Sequence, residues 1–421
     1  RNIKAAFSIK ELLGLLKRPR KVMLMVKAGK PVDYVIESLL PYLEEGDIVI
    51  DGGNSHFSDT DRRYDKLAEQ GVRFLGTGIS GGEYGALHGP SIMPGGDEDA
   101  YAEVADILRD VAAKTNHGSC VTYLGPKSAG HYVKMVHNGI EYGVMQLTAE
   151  TYDIMRKSLG LLPDEMGDIF NDWNNYHKSY LIEITAEILH KIDRDTEKPL
   201  IDIILDEAKQ KGTGKWSAQD ALDLGVSLPT ITAAVNARNI SGYKEERIKF
   251  SESFSTPGIR DLDKGFINVL EDALYLGIVT AYAEGMSLLQ GASAEYEYNL
   301  PLDEVARIWE DGCIIRSELL QAIQEIYKKK PYLSNLMLAD QFRHKFEEKI
   351  DNLRLAVISA KEMGIPIPAF SAALDYFDSL RTVELPANMI QAQRDYFGAH
   401  TYQRRDKEGI FHTEWQDIHN V

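Results

Sequence analysis

Between residues 20 and 126, short apolar runs alternate with amphipathic stretches, and glycines follow the runs. Val22-Met23-Leu24-Met25-Val26, Asp47-Ile48-Val49-Ile50-Asp51, Val72-Arg73-Phe74-Leu75 and Val121-Thr122-Tyr123-Leu124 have the length and character of buried strands. Helical periodicity covers residues 32–43, 58–70 and 97–113 between them. This alternation predicts an α/β doubly wound sheet. Gly29, Gly52-Gly53, Gly76, Gly78 and Gly95-Gly96 come after the strands, on the edge where open α/β sheets bind ligands.

From about residue 127 the strand signal fades. Helical patterns follow over residues 129–158, 179–192, 263–291 and 303–328, predicting a large all-α domain. The expected organisation is residues 1–126 as a nucleotide-binding type of domain, 127–380 as the helical domain and 381–421 as a tail that docks on something. The tail is polar and aromatic with little helical periodicity. Ile169-Phe170-Asn171-Asp172-Trp173 resembles Ile308-Trp309-Glu310-Asp311-Gly312, and each follows a helix carrying an Ala-Glu pair, Ala149-Glu150 and Ala283-Glu284. An internal duplication follows as an expectation.

The net charge of −17 argues against nucleic-acid binding, which needs a positive footprint. It also means that any anionic substrate requires a locally basic pocket. No run of ~18 apolar residues is apparent, so no membrane span is expected. Cys120 and Cys313 form neither a disulfide framework nor a metal-ligand pattern, and idle thiols fit a reducing compartment.

Gly76-Thr77-Gly78-Ile79-Ser80-Gly81 fits the G-x-G-x-x-G dinucleotide pattern, but the residues after it show no apolar helical stripe, so a glycine-rich ligand loop is the better expectation. Lys211-Gly212-Thr213-Gly214-Lys215-Trp216 lacks the Ser or Thr of a Walker motif; it is either an ordinary loop or one that carries a lysine to an anion. The segment from Lys134 to Tyr142 is more informative. Lys134, His137, Asn138, Glu141 and Tyr142 share one helix face. Such a stripe is ordinarily solvated, yet Met135, Val136 and Ile140 leave little exposed face elsewhere, which fits an interior cleft. Lys134 and Glu141 are ~10 Å apart along the axis. A lysine neutralised by burial can act as base, and a carboxyl kept protonated can act as acid.

Several long stretches resemble 6-phosphogluconate dehydrogenases. They are Asp51 to Ser55, Gly78 to Gly82, Gly89 to Gly96, Gly130 to Tyr142, Lys211 to Trp216 and Gln391 to Tyr402, in the family's order and over almost the whole chain. The resemblance implies a Rossmann-like domain followed by a helical one. It implies oxidative decarboxylation of 6-phosphogluconate to ribulose 5-phosphate and CO₂ in the pentose phosphate pathway, with NADP as cofactor, no metal and a cytoplasmic location. It assigns Lys134 as general base and Glu141 as general acid. Asn54, Ser80, Gly81, Gly82, His137, Asn138 and Tyr142 would hold the sugar acid, and Lys211 and Arg238 its phosphate. Arg394 and His400 would join the pocket from the partner subunit of a homodimer. Val26, Lys27, Ala28 and Asn54 would contact the cofactor.

By the same resemblance, roughly 50 residues carrying the family's first strand, glycine-rich turn and helix would precede Arg1, which leaves NADP against NAD undecided within this sequence. Two other readings compete. One is a shortened chain that keeps the dimer scaffold but does not bind cofactor. The other is a β-hydroxyacid dehydrogenase acting on a smaller acid, against which the Lys211/Arg238 pair and the Arg394/His400 tail argue.

Overall fold

The computed structural model describes residues 3–415. β1 (Lys21–Leu24), β2 (Ile48–Asp51) and β3 (Arg73–Ile79) lie parallel, and β4 (Ile92–Gly96) borders the sheet antiparallel to β3. α1 (Ile9–Leu15) precedes β1, while α2 (Lys30–Leu39), α3 (Phe57–Ala68) and α4 (Gly82–His88) connect successive strands and α5 (Glu98–Val111) follows β4. Ile48 and Ile50 of β2 face α5 through Ala100, Val104 and Leu108. Val49 faces the other side, against Leu13, Val32, Ile36 and Leu67 of α1, α2 and α3. Burial on both faces is why β2 reads as an unbroken apolar run.

The sequence reading had no strand at β4, because Pro94, Gly95 and Gly96 hide it. It had a full strand at 121–124, of which one parallel bridge, Ile92 to Val121, remains after the short hairpin of β5 (Lys114–Thr115) and β6 (Gly118–Ser119). The segment does run beside β4, with Ile92 N–H donating to Cys120 and Leu124 N–H to Pro94. Pro94 itself has no N–H to return, which interrupts the ladder.

Two further expectations fail nearby. Gly76 and Gly78 lie within β3 rather than in a ligand loop, and a helix, α4, does follow the glycines. The glycines serve close packing. α6 (Ala129–Ser158) lies directly on β3 and β4, and a Cβ on Gly76 would come 2.5 Å from Thr60 Cγ2 and 2.9 Å from His131 Nδ1. On Gly78 it would collide with Lys134 Cβ. Bare backbone on the strand therefore lets the helix that carries Lys134 settle against the sheet.

The helical part continues with α7 (Pro163–His177), α8 (Tyr180–Leu189), α9 (Thr213–Asp223), α10 (Pro229–Ser241), α11 (Lys244–Ser253), α12 (Phe266–Glu295), α13 (Leu302–Ile308), α14 (Leu319–Lys329), α15 (Asp340–Glu362) and α16 (Pro368–Arg381). The pattern read as one helix over 303–328 is two. Between them Gly312 takes a positive φ of 68°, and its carbonyl accepts Ser91 N–H at 2.8 Å, so the chain turns to meet the start of β4. α12 is long and apolar enough to cross a bilayer by length and composition, but 61% of its apolar window is buried inside the protein. It packs against α6 and α15 as a core helix.

The duplication has a structural counterpart. α6 and α12 are each 30 residues long. Each is followed by two helices, a short 3₁₀ turn and two more helices. The last pair in each half ends in a proline-led helix, Pro229-Thr230-Ile231 for α10 and Pro368-Ala369-Phe370 for α16. The two glutamates are exchanged between halves. Glu284 of α12 accepts the N–H groups of Thr230 and Ile231 at 2.9 and 3.0 Å, and Glu150 of α6 accepts those of Ala369 and Phe370 at 2.8 and 2.9 Å. Each buried carboxylate caps a helix N-terminus, where unpaired donors and the helix dipole favour an anion.

The chain divides into two compact units between Leu374 and Asp375. In the second unit, α17 (Ala387–Gly398) is a helix that the tail's weak periodicity did not predict. Asp395 is its buried residue, and its apolar side chains, Met389, Ile390, Tyr396 and Phe397, are exposed. That carboxylate accepts Thr401 N–H and His412 Nδ1 on one oxygen, and Thr413 N–H and Trp415 Nε1 on the other, at 2.8–3.0 Å.

Candidate active site

The middle of α6 forms a buried polar cluster. Lys134 is 5% exposed and His137 fully buried. Lys134 Nζ stands 3.4 Å from His137 Nδ1, which also meets Asn138 Oδ1 at 3.0 Å and has Glu141 Oε2 at 4.0 Å. Ser80, after β3, contributes its Oγ to His137 Nε2 at 3.2 Å, and Trp309 sits edge-on to the imidazole. Burial lowers the Lys134 amine to about 8, against the pull of Glu141 and the Cys313 thiol. Burial raises the Glu141 carboxyl, against Lys134 and Arg238. It also holds His137 well below its ordinary value, an effect that Lys134 reinforces. Both members of the Lys134/Glu141 pair are thus displaced toward their neutral forms.

One turn further along α6, Tyr142 lies under the Arg238 guanidinium, 3.4 Å from its carbon to the ring centroid. The first turn of α9 packs on the same ring, since a Cβ on Gly214 would come 2.5 Å from Tyr142 Cδ2. Ser217 Oγ donates to the Met135 carbonyl at 2.9 Å and fixes α9 to α6. Lys211 stands two residues before α9, on the wall of a cavity beside the cluster.

A cavity of about 880 Å³ opens between the sheet edge and the helical part. Its walls are the turn after β1 (Met25, Val26, Lys27, Ala28, Gly29), the turn after β2 (Gly52, Gly53, Asn54), His56 and Asp59 of the α3 start, Asn138, and Lys211, Thr213 and Trp216. Val26, Lys27, Ala28, Asn54, Asn138 and Lys211 were anticipated from the sequence. Ser80, Lys134, His137 and Glu141 connect to the cavity through Asn138, and Tyr142 and Arg238 form the neighbouring pair. Gly81 packs against the Gly312 carbonyl, and Gly82 begins α4. Arg394 and His400 belong to the second compact unit, where Arg394 is exposed and donates to Gln391 Oε1 at 3.0 Å.

Sequence reasoning missed His56 and Trp216, which meet edge-to-face with centroids 4.8 Å apart at the cavity wall. It also missed Arg63, a fully buried arginine beneath both turns. One signal was available for Arg63: with Thr60 and Leu67 it sits at three- and four-residue spacing on the buried stripe of α3.

Comparison with known proteins agrees with this geometry. The NAD binding domain of 6-phosphogluconate dehydrogenase matches residues 1–125, and the 6-phosphogluconate dehydrogenase C-terminal domain matches residues 130–415. The NADP(+)-dependent, decarboxylating 6-phosphogluconate dehydrogenase of Bacillus subtilis is 53% identical over 419 residues, covering 99% of this chain and 89% of that protein. The decarboxylating enzyme of Synechococcus elongatus is 52% identical over 421 residues, with the same coverage. The solved structure of Plasmodium falciparum 6-phosphogluconate dehydrogenase, studied in apo form and with NADP+ or 6-phosphogluconate, superposes with a TM-score of 0.94 at 47% identity, over 97% of this chain and 88% of that one. With both family domains matched and about half the residues identical from end to end, the chain belongs to the 6-phosphogluconate dehydrogenase family.

Proposed function

We propose that the protein oxidatively decarboxylates 6-phosphogluconate to ribulose 5-phosphate and CO₂ with NADP as hydride acceptor. The observation that carries the reading is the buried Lys134–His137–Glu141 cluster beside a nucleotide-sized cavity, in a chain 53% identical to an enzyme of that name. Ligand cavities run about 300–1,000 Å³, so this one has room for a dinucleotide. Glycines at 29, 52 and 53 keep its walls free of side chains, and the Lys27 and Lys211 amines suit anionic groups. Val26, Lys27, Ala28 and Asn54 would hold the cofactor, which supplies an acceptor for the hydride leaving C3.

Lys134, displaced toward its neutral form, takes the proton of the 3-hydroxyl as that hydride leaves. The product is a 3-keto acid whose C1–C2 bond is set to break. Protonated Lys134 supports the C3 oxygen while CO₂ departs and the electron pair enters the C2–C3 enediol. Glu141, its carboxyl shifted by burial toward the protonated form, delivers a proton to the former C2, and Lys134 recovers the enediol proton. His137 and Asn138 orient Lys134 and the sugar hydroxyls; Ser80, Gly81, Gly82 and Tyr142 line the sugar-acid end. Lys211 and Arg238 bind the phosphate.

Arg394 and His400 would complete this phosphate site from a second copy of the chain in a homodimer. Their unit supports that reading: Met389, Tyr396, Phe397 and Trp415 border an exposed apolar groove of about 510 Å³ that a second copy can cover. The free, buried thiols of Cys120 and Cys313 fit the cytoplasm. A family boundary near residue 126 and a tail from about 381 remain the domain reading we favour. The purified protein, given 6-phosphogluconate and NADP, should yield NADPH and CO₂ in equal amounts. Turnover of a smaller 3-hydroxy acid with none of 6-phosphogluconate would overturn the assignment.

A further inference from the structure

The two turns that form one wall of the cavity are built on glycine. Gly29 adopts φ of 87°, and Gly52 and Gly53 follow one another after β2. Glycine gives such turns little rigidity of their own. Beneath them lies one guanidinium. Arg63 of α3 is 1% exposed and does not line the cavity. Its Nη2 donates to the Gly29 carbonyl at 3.0 Å, in the first turn. Its Nη1 donates to Ser55 Oγ at 3.1 Å and lies 3.4 Å from Asp51 Oδ2, in the second. Its Nε donates to Asp33 Oδ1 of α2 at 2.8 Å. Asp51 in turn accepts Gly53 N–H at 3.0 Å and the Ser55 hydroxyl at 2.6 Å. One helical turn away, Thr60 Oγ1 meets His131 Nδ1 of α6 at 2.7 Å, so the helix holding Arg63 is also tied to the helix holding Lys134.

We propose that Arg63 is a positioning residue for the dinucleotide. Its planar fork spans the turns after β1 and β2 and holds them as a single wall. Cofactor affinity then depends on a side chain that lies behind the site. A lysine offers one point charge and cannot reach both turns with directed donors. The inference rests on the NADP reading above.

The test is direct binding. Dissociation constants for NADP and for 6-phosphogluconate are measured separately by calorimetry on the parent, Arg63→Lys, Arg63→Met and the milder Ser55→Ala. NADP should bind roughly tenfold to a hundredfold more weakly in the Arg63 variants, the scale of other contacts that support ligand-binding groups from behind. Ser55→Ala should weaken it about threefold, as expected for one hydrogen bond in the set. 6-Phosphogluconate should bind within about twofold of the parent throughout. NADP affinity within twofold in folded Arg63 variants overturns the proposal, as does an equal loss of both affinities, which marks a general structural role. If neither Arg63 variant folds, Ser55→Ala decides by the same two comparisons. A parent that binds no NADP overturns the cofactor reading and this proposal together; a parent that binds it overturns neither by itself.

Discussion

Lys134 Nζ lies 3.4 Å from His137 Nδ1, and the opposite nitrogen of that imidazole meets Ser80 at 3.2 Å. A buried imidazole kept neutral can accept from only one side and donate from the other. The lysine is thereby held by a chain of contacts running from α6 to the end of β3. That arrangement keeps Lys134 aimed, while burial lowers its proton affinity.

The first consequence is a pH profile. Burial brings Lys134 to about 8, and the base must be neutral to accept the hydroxyl proton. kcat/KM for 6-phosphogluconate should therefore rise with pH and level off above about 8, because that ratio reports the free enzyme. A profile flat from roughly one unit below to one unit above that value would remove Lys134 as the base.

Lys134→Met should cost turnover and spare binding. Acid–base groups of this kind contribute roughly 10²–10⁴-fold. Stopped assays should show that loss in kcat, while calorimetry finds 6-phosphogluconate bound within about tenfold of the parent, since Lys211, Arg238 and Tyr142 are untouched. A variant that turns over within tenfold of the parent assigns the proton transfer elsewhere.

The exchanged glutamates predict a stability effect. Glu284→Gln places an amide NH₂ against one of the two N–H donors in a fully buried site, and urea unfolding should show a loss of about 1–3 kcal/mol. Burial, opposed by the hydrogen bonds from Thr230 and Ile231, raises the Glu284 carboxyl to about 7. Its folded value lies above its unfolded one, near ~4.5. Its contribution is therefore complete at low pH and declines as pH rises through about 7, where the unfolded chain has already released the proton. The gap between parent and Glu284→Gln should narrow from about pH 5 to 7. A gap that widens would reverse the sign. Glu150→Gln should behave alike, its carboxyl being raised to about 7 by the same cause.

Completion of the phosphate site by a second copy can be read from mixed dimers. Lys134→Met and Arg394→Ala subunits, each inactive alone, are combined and allowed to exchange. If Arg394 acts across the dimer, one pocket carries both defects and the other neither, so up to about half the activity per mixed dimer returns. No recovery, with exchange confirmed by mass, places the arginine in its own subunit.

The strands β2 and β3 and the helices α2, α3, α5 and α6 were legible because two-sided burial leaves apolar runs and one-sided burial leaves a periodic stripe; β1 was legible as an apolar run although Met23 is exposed. β4 was not, because proline and glycine carry no strand signal while their backbone still pairs. α17 was not, because its one buried residue is the carboxylate of Asp395. Gly76 and Gly78 looked like a ligand loop, since sequence cannot distinguish a glycine that admits an anion from one that admits a helix.

From the sequence alone came the order of elements, the polar stripe from Lys134 to Tyr142 and the family resemblance, all of which depend on neighbours along the chain. What only the tertiary structure decided was contact between distant segments. It placed Ser80 on His137, 57 positions apart, Arg238 on the Tyr142 ring, and Arg63 beneath two turns. It also set the burial that displaces Lys134 and Glu141 toward neutrality. Desolvation and backbone approach are properties of packing, and no spacing of residues along a chain encodes them until the helices have met the sheet.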